Sequence, residues 1–225
     1  MIISIFNVIG PVMIGPSSSH TAGAAKLARI ARLIAGGPYK HVSFGLHGSF
    51  AKTYKGHGTD RALVAGAMGL HEYDERLADS FALADAAGFT YDFYETELEG
   101  MHENSVKMTF TMNDGGTNEI IGSSIGGGQI LIVNINGFPV EFTAESSALI
   151  ISQKDKPGVI SDVSRVLAEH GINIGTMKVS RTAKDDLAFC IIETDDLISG
   201  GVVQQISMVE HVLCVQAINL SEGKE

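Results

Sequence analysis

The chain has 225 residues, 44% hydrophobic and 19% charged, and a formal net charge of -10 from 16 basic and 26 acidic residues. That apolar content suits a packed core in one large or two small domains and excludes a disordered chain. The acidic balance, with no basic stripe, argues against a nucleic-acid binder, and no stretch reaches the ~20 apolar residues of a membrane-spanning helix.

The opening MIISIFNVIGPVMIGP is apolar, lacks the basic region of a secretory signal and meets Pro11 and Pro16. It reads as a buried first strand over Ile2–Asn7, and cytoplasmic placement is the expectation. Next, Gly15-Pro16-Ser17-Ser18-Ser19-His20-Thr21-Ala22-Gly23 runs directly into AGAAKLARIARLIA. There Leu27, Ile30 and Leu33 or Ile34 share a face, which predicts a helix over Ala22–Ala35. Hydroxyls and an imidazole thus fall at a helix N-terminus, where unpaired N–H groups and the dipole favour an anion such as a carboxylate. A Ser or Thr that merely caps the helix is the other reading.

A strand is expected at His41–His47. Gly48-Ser49-Phe50-Ala51-Lys52-Thr53 and Gly56-His57-Gly58-Thr59-Asp60-Arg61 follow, the second with glycines that free the backbone to approach a ligand. Asp60 is placed to N-cap a helix over Arg61–Leu70, and also to orient His57. A further helix is expected near Leu77–Ala87. Strands are expected at Phe89–Tyr94, Val106–Met112, Asn118–Gly122, Ile130–Asn134 and Pro139–Thr143, with Asn136-Gly137 as a type I′ turn.

The glycines of Ser123-Ser124-Ile125-Gly126-Gly127-Gly128 lead into a strand and lack a GK[ST] ending, so they are no phosphate loop. They offer either an anion-binding nest or a bend before the strand. His41, His47 and His71 lack zinc-ligand spacing, and no metal is assigned to them. Asp185-Asp186 and Asp195-Asp196 read as solvated turns.

The last third alternates cleanly. Ser147–Gln153 is a strand and KDKPG a turn. VISDVSRVLAEHG is an amphipathic helix through Val159, Ile160, Val163, Val166 and Leu167, stopped by Gly171. Strands Ile172–Arg181 and Asp186–Thr194, a helix Gly201–Met208 and a strand Val212–Leu220 complete βαββαβ, a ferredoxin-like order. Cys190 (in AFCII) and Cys214 (in VLCVQ) read as buried core thiols, and two cysteines fall short of the four that usually hold an iron–sulfur cluster. The expected fold class is α+β: a mixed α/β domain of substrate-binding type over 1–145 and the ferredoxin-like domain over 146–225.

DKPGVISDVSRVLAEHGINI resembles the opening of an ACT domain, the small module that regulates many amino-acid enzymes. GPSSSHTAG resembles the signature near the start of the β subunit of bacterial iron–sulfur-dependent L-serine dehydratases. The runs from Gly48 to Thr53 and from Gly56 to Arg61 resemble that family's "GSxxxTxxGHGTD", and residues 123–128 its "SIGGG". His102-Glu103-Asn104-Ser105 is similar to its "HPNT" turn, with Glu103 for proline and Ser105 for threonine. These runs come in family order, and with the ACT-like tail the likeness covers nearly the whole chain.

The resemblance implies deamination of L-serine to pyruvate and ammonia, with a [4Fe–4S] cluster as Lewis acid whose cysteines lie on an α subunit. This chain would be inert alone and would complete the site at the subunit interface. His20, His57 and Asp60 are the implied catalytic residues. Ser17, Ser18, Ser19, Thr21, Ser49, Thr53, Asn104, Gly126 and Gly127 are the implied substrate-binding ones. A β–β contact through the ACT domains is a further implication. The alternative is a non-catalytic amino-acid sensor, because the same N-terminal region also resembles the allosteric substrate-binding domain that precedes the ACT domain in some phosphoglycerate dehydrogenases.

Overall fold

The computed structural model describes residues 17–181, 183–184 and 186–220. The strand expected over Ile2–Asn7, the pair Gly15-Pro16 and Asp185 lie outside the described residues. Two compact units divide between Gly137 and Phe138.

The first unit opens with α1 (Ala22–Ala35), whose Leu27, Ile30, Ala31 and Ile34 are buried at the spacing the sequence predicts. β1 (Tyr39–Leu46) leads into α2 (Gly48–His57) and α3 (Thr59–Ala67). A 3₁₀ turn (Glu75–Asp79) and α4 (Ser80–Ala87) follow, then β2 (Thr90–Glu95), β3 (Ser105–Met112), β4 (Thr117–Gly126) and β5 (Gln129–Ile135). The strands lie in the order β2-β1-β3-β4-β5. Only β1 and β2 run parallel.

Val106, Met108 and Phe110 alternate into the core from β3, as a sheet with one covered face requires. Two glycines bring α1 close to its neighbours. A Cβ on Gly122 of β4 would sit 2.7 Å from Leu27 Cδ1, and one on Gly66 of α3 would sit 2.1 Å from the Ala25 carbonyl oxygen.

Three expectations are corrected here. Gly56 and His57, expected in a run whose glycines free the backbone, form the last turn of helix α2 (Gly48–His57), an element that the sequence reading does not predict. It escapes the periodicity test because Phe50 is its one buried residue, so no apolar stripe marks it. Next, α3 begins at Thr59 and not Arg61, and its N-cap is Gly58. Asp60 therefore lies inside the first turn and cannot cap. Lastly, the helix expected over Leu77–Ala87 breaks into the 3₁₀ turn and α4, because Asp74 caps the earlier turn by accepting a 2.9 Å hydrogen bond from the Arg76 N–H.

The second unit holds β6 (Phe138–Phe142), β7 (Ser147–Lys154), α5 (Val159–Glu169), β8 (Ile174–Arg181), β9 (Leu187–Thr194), α6 (Gly200–Ser207) and β10 (Val212–Ile218). Its sheet has the order β10-β7-β9-β8, antiparallel throughout, which gives the ferredoxin-like topology. Leu149, Ile151, Val163, Leu167, Cys190, Ile192, Val202 and Ile206 form its core. Gly158 (φ 96°) and Gly171 (φ 69°) bound α5 in the left-handed region, where glycine carries no Cβ penalty.

Cys190 faces this core, but Cys214 is exposed, against expectation. The register explains it: Cys190 pairs with Ile151 and Cys214 with Ser152, consecutive residues of β7 that point to opposite faces. Among the described residues, no helix is long and apolar enough to cross a membrane.

Candidate active site

Four short sequence runs converge in the first unit, and each link between them is a specific contact. His20 starts the ring. It is 7% exposed and sits just before α1, with Nδ1 3.1 Å from Ser17 Oγ and Nε2 3.2 Å from Ser49 Oγ at the start of α2. Its ring packs edge-on against His57, centroids 4.8 Å apart, and against Phe50 at 5.1 Å.

The Glu103 carbonyl accepts hydrogen bonds from the N–H groups of Ser49 (2.7 Å) and Phe50 (3.4 Å), tying the third run to α2. The Asn104 carbonyl accepts one from the Ser124 N–H at 2.9 Å, tying the third run to β4. Ser124 in turn lies against Gly23 in the first turn of α1, where a Cβ would fall 2.0 Å from Ser124 Oγ. The ring closes there.

The electrostatics of His20 follow from its position. Burial first, and the neighbouring His57 second, push its imidazole below the ordinary value. Near neutrality His20 is therefore uncharged, with one nitrogen carrying a lone pair. A serine hydroxyl stands on each side, and a hydroxyl donates or accepts as needed, so either tautomer is accommodated. Such a nitrogen is suited to taking a proton.

The remaining residues fall into two groups. Thr21 and Thr53 donate their hydroxyls to the Ser17 carbonyl (3.0 Å) and the Ser49 carbonyl (2.7 Å), so those donors are spent on the loop and on α2. Ser18 contributes its carbonyl, which accepts from the Gly23 N–H at 2.9 Å. Ser19 is half-buried in the same turn.

Asp60 accepts a 2.8 Å bond from the Arg61 N–H, and desolvation raises its carboxyl against the opposing pull of Arg61 and Lys55. It does not reach His57, whose Nδ1 is buried without a hydrogen-bond partner among the described residues. Gly126 and Gly127 take positive φ values of 104° and 60° in the turn from β4 to β5. They follow Ser124 in the chain, and no contact of theirs joins the ring.

Two residues were not singled out from sequence. Thr59 and Ser124 are each fully buried with a hydroxyl that has no partner among the described residues. Both lay within runs already marked, and the signal that separates them, an unpaired donor in the interior, exists only in three dimensions.

An α+β chain with a buried serine–histidine ring at the start of α1 and an ACT-type module in its second unit defines the class. Residues 4–80 match the family model of the serine dehydratase beta chain, and residues 147–209 that of the ACT domain. The chain is 45% identical over 208 residues to the L-serine dehydratase beta chain of Peptoniphilus asaccharolyticus, covering 92% of this chain and 94% of that one. It is 40% identical over 215 residues to the probable L-serine dehydratase beta chain of Bacillus subtilis, covering 96% and 97%. The chain belongs to the L-serine dehydratase β-chain family. A shorter likeness, 34% over 89 residues, links 40% of the chain to 17% of D-3-phosphoglycerate dehydrogenase of Bacillus subtilis.

Proposed function

We propose that this chain supplies half of the active site of an L-serine dehydratase, acting with an α chain to convert L-serine to pyruvate and ammonia. The observation that carries the reading is the closed ring of four runs around a buried, neutral His20. The reaction removes the Cα proton and the β-hydroxyl as water. The resulting enamine tautomerises to an imine, which hydrolyses to pyruvate and ammonia. In this scheme the lone pair of His20 takes the Cα proton, with the ring held between the Ser17 and Ser49 hydroxyls. The serine carboxylate lies at the start of α1, against the hydroxyls of Ser17, Ser18 and Ser19. Ser49 holds the His20 ring and Asn104 ties its turn to β4, while Gly126 and Gly127 stand apart from the ring in the turn after it. Asp60 acts on α3, not on His57.

The iron–sulfur cluster expected from the family does not fit this chain. The sequence has two cysteines, both in the ACT unit and on opposite faces of its sheet. Among the described residues no group of three or more His, Cys, Asp or Glu side chains is placed to hold a metal. The reading therefore assigns the cluster to the α chain, and no step here is routed through it. An ACT module over 146–225, β–β pairing through it and a cytoplasmic setting complete the proposal.

The test is anaerobic conversion of L-serine to pyruvate by this chain, by the α chain, and by the two mixed. Activity in the mixture alone is expected. Full activity of the α chain alone would overturn the reading in favour of an amino-acid sensor, which the likeness to phosphoglycerate dehydrogenase supports.

A further inference from the structure

The sequence holds a single Asn-Gly pair, Asn136-Gly137. Asparagine is chemically labile, and most of all before glycine. With no side chain in the way, the glycine backbone nitrogen, once deprotonated, attacks the asparagine Cγ. The new C–N bond closes a succinimide ring, the Cγ–Nδ2 bond breaks, and ammonia leaves carrying the amide proton. Water then opens the ring to aspartate or isoaspartate. Both residues of the pair are exposed, so accessibility alone marks them for this reaction.

The fold places a restraint on each reacting group. Asn136 and Gly137 take φ values of 51° and 85°, the two left-handed positions of a tight turn after β5. The nucleophile is engaged, because the Gly137 N–H donates to Asn134 Oδ1 at 2.8 Å. The electrophile is held at both ends. Asn136 Oδ1 accepts from the Glu119 N–H at 2.8 Å, and its Nδ2 donates to Asn118 Oδ1 at 3.0 Å. The backbone supports the same pose, since the Asn136 N–H donates to the Glu119 carbonyl at 2.8 Å. Asn118 is itself fixed, donating from Nδ2 to the Ala35 carbonyl at 2.9 Å. An exposed turn is thereby tied through two amides to the last residue of α1.

We infer that Asn136 is a guarded deamidation site, kept intact in the folded chain by the side chains of Asn134 and Asn118 and released by local opening of this turn. Succinimide closure must swing the Asn136 side chain toward the Gly137 nitrogen, which breaks both of its hydrogen bonds. It must also free the Gly137 N–H from Asn134. The rate therefore follows the population in which these contacts are open together. The product does not restore them. Aspartate at 136 has no N–H to offer Asn118 Oδ1, and isoaspartate adds a carbon to the backbone of a two-residue turn. Modification once made thus loosens the tie between the turn and α1. The guard belongs to this chain alone and needs no partner.

The test follows conversion of the Asn136 amide to an acid by peptide mass spectrometry, with the full chain incubated at mildly alkaline pH, folded and in urea. The folded wild type should deamidate there at least tenfold more slowly than the unfolded chain. Asn134→Ala frees the nucleophile and Asn118→Ala frees the Asn136 amide. Each, with its fold retained by circular dichroism, should move the folded rate towards the unfolded one. Gly23→Ala strains the interior at Ser124, away from the turn, and should keep the wild-type rate. A folded rate equal to the unfolded one would overturn the inference, as would a wild-type rate in either of the first two variants. Equal acceleration by Gly23→Ala would do the same, since protection would then belong to the fold as a whole and not to this turn.

Discussion

Ser124 tests whether the ring is built for a ligand or only for the fold. Its side chain is fully buried, its hydroxyl has no partner among the described residues, and a Cβ on Gly23 would lie 2.0 Å from its Oγ and 3.1 Å from its Cβ. A buried hydroxyl without a partner costs about 1–3 kcal/mol. Ser124→Ala removes that cost and leaves a void of one oxygen, which forfeits a few contacts of about 0.1–0.2 kcal/mol each. The variant should therefore range from neutral to about 2 kcal/mol more stable than the wild type in urea unfolding of the full chain. Gly23→Ala should be destabilised by about 1–3 kcal/mol, because its methyl overlaps Oγ in a packed interior. The double variant should recover much of that loss, since the contact left to the Cβ is one that a small shift relieves, and a coupling near 1 kcal/mol or more is expected. A Ser124→Ala chain less stable than the wild type by more than about 1 kcal/mol would refute the reasoning, since it would mean that the hydroxyl has a partner in the fold.

Two further outcomes follow from the site and the sheet. Burial and His57 hold the folded His20 below its ordinary value of about 6.5, so on acidification the unfolded chain takes up this proton first. The stability this contributes is full above about pH 6.5 and is lost as the pH falls through the folded value. His20→Gln should flatten the decline of Tm below pH 6.5, and an unchanged slope would count against the buried neutral imidazole. For the cysteines, burial pushes the Cys190 thiol up to about 12, whereas Cys214 is exposed. Titration with a disulfide reagent should show one fast thiol in the folded chain and a second only after unfolding, since the thiolate is the reacting form. Two fast thiols would contradict the assignment of Cys190 to the core.

The sequence was most readable where burial is one-sided and periodic. Both ends of α1 are visible because Leu27, Ile30 and Ile34 return at helical spacing, and α5 is visible through Val159, Val163 and Leu167. α2 was hidden for the opposite reason. Its single buried phenylalanine gives no period, and its glycines mimic a loop. The same glycines moved the start of α3: Gly58 caps it in place of the expected Asp60, a residue type whose side chain would do so in most helices. For Cys214, one step in the pairing of β10 with β7 turns an apolar run into an exposed thiol, and that step is not written in the composition. The candidate site was legible as four runs and not as a ring. Ser105 and Ser123 face each other across neighbouring strands, which a hairpin reading can foresee. The link from the Glu103 carbonyl to the start of α2 is made by backbone alone and leaves no mark in the side chains.

Gly58 closes α2 and opens α3 with one backbone φ of 71°. A single residue is thus the pivot between the two helices, and α2 is a lever arm hung from it. His57 stands at the pivot, and Ser49 stands nine residues away, about 13 Å at 1.5 Å per residue. A tilt of about 10° would carry Ser49 by roughly 2 Å while His57 hardly moved, with the arm length taken from the same helical rise. Two of the contacts that α2 makes with the His20 ring therefore differ in kind: the His57 contact is insensitive to the pose of α2, and the Ser49 hydrogen bond registers it. The catch on the free end of the lever is the Glu103 carbonyl, which holds the Ser49 N–H at 2.7 Å. The loop bearing Glu103, far from Ser49 in sequence, thereby decides whether the His20 ring keeps its second hydroxyl.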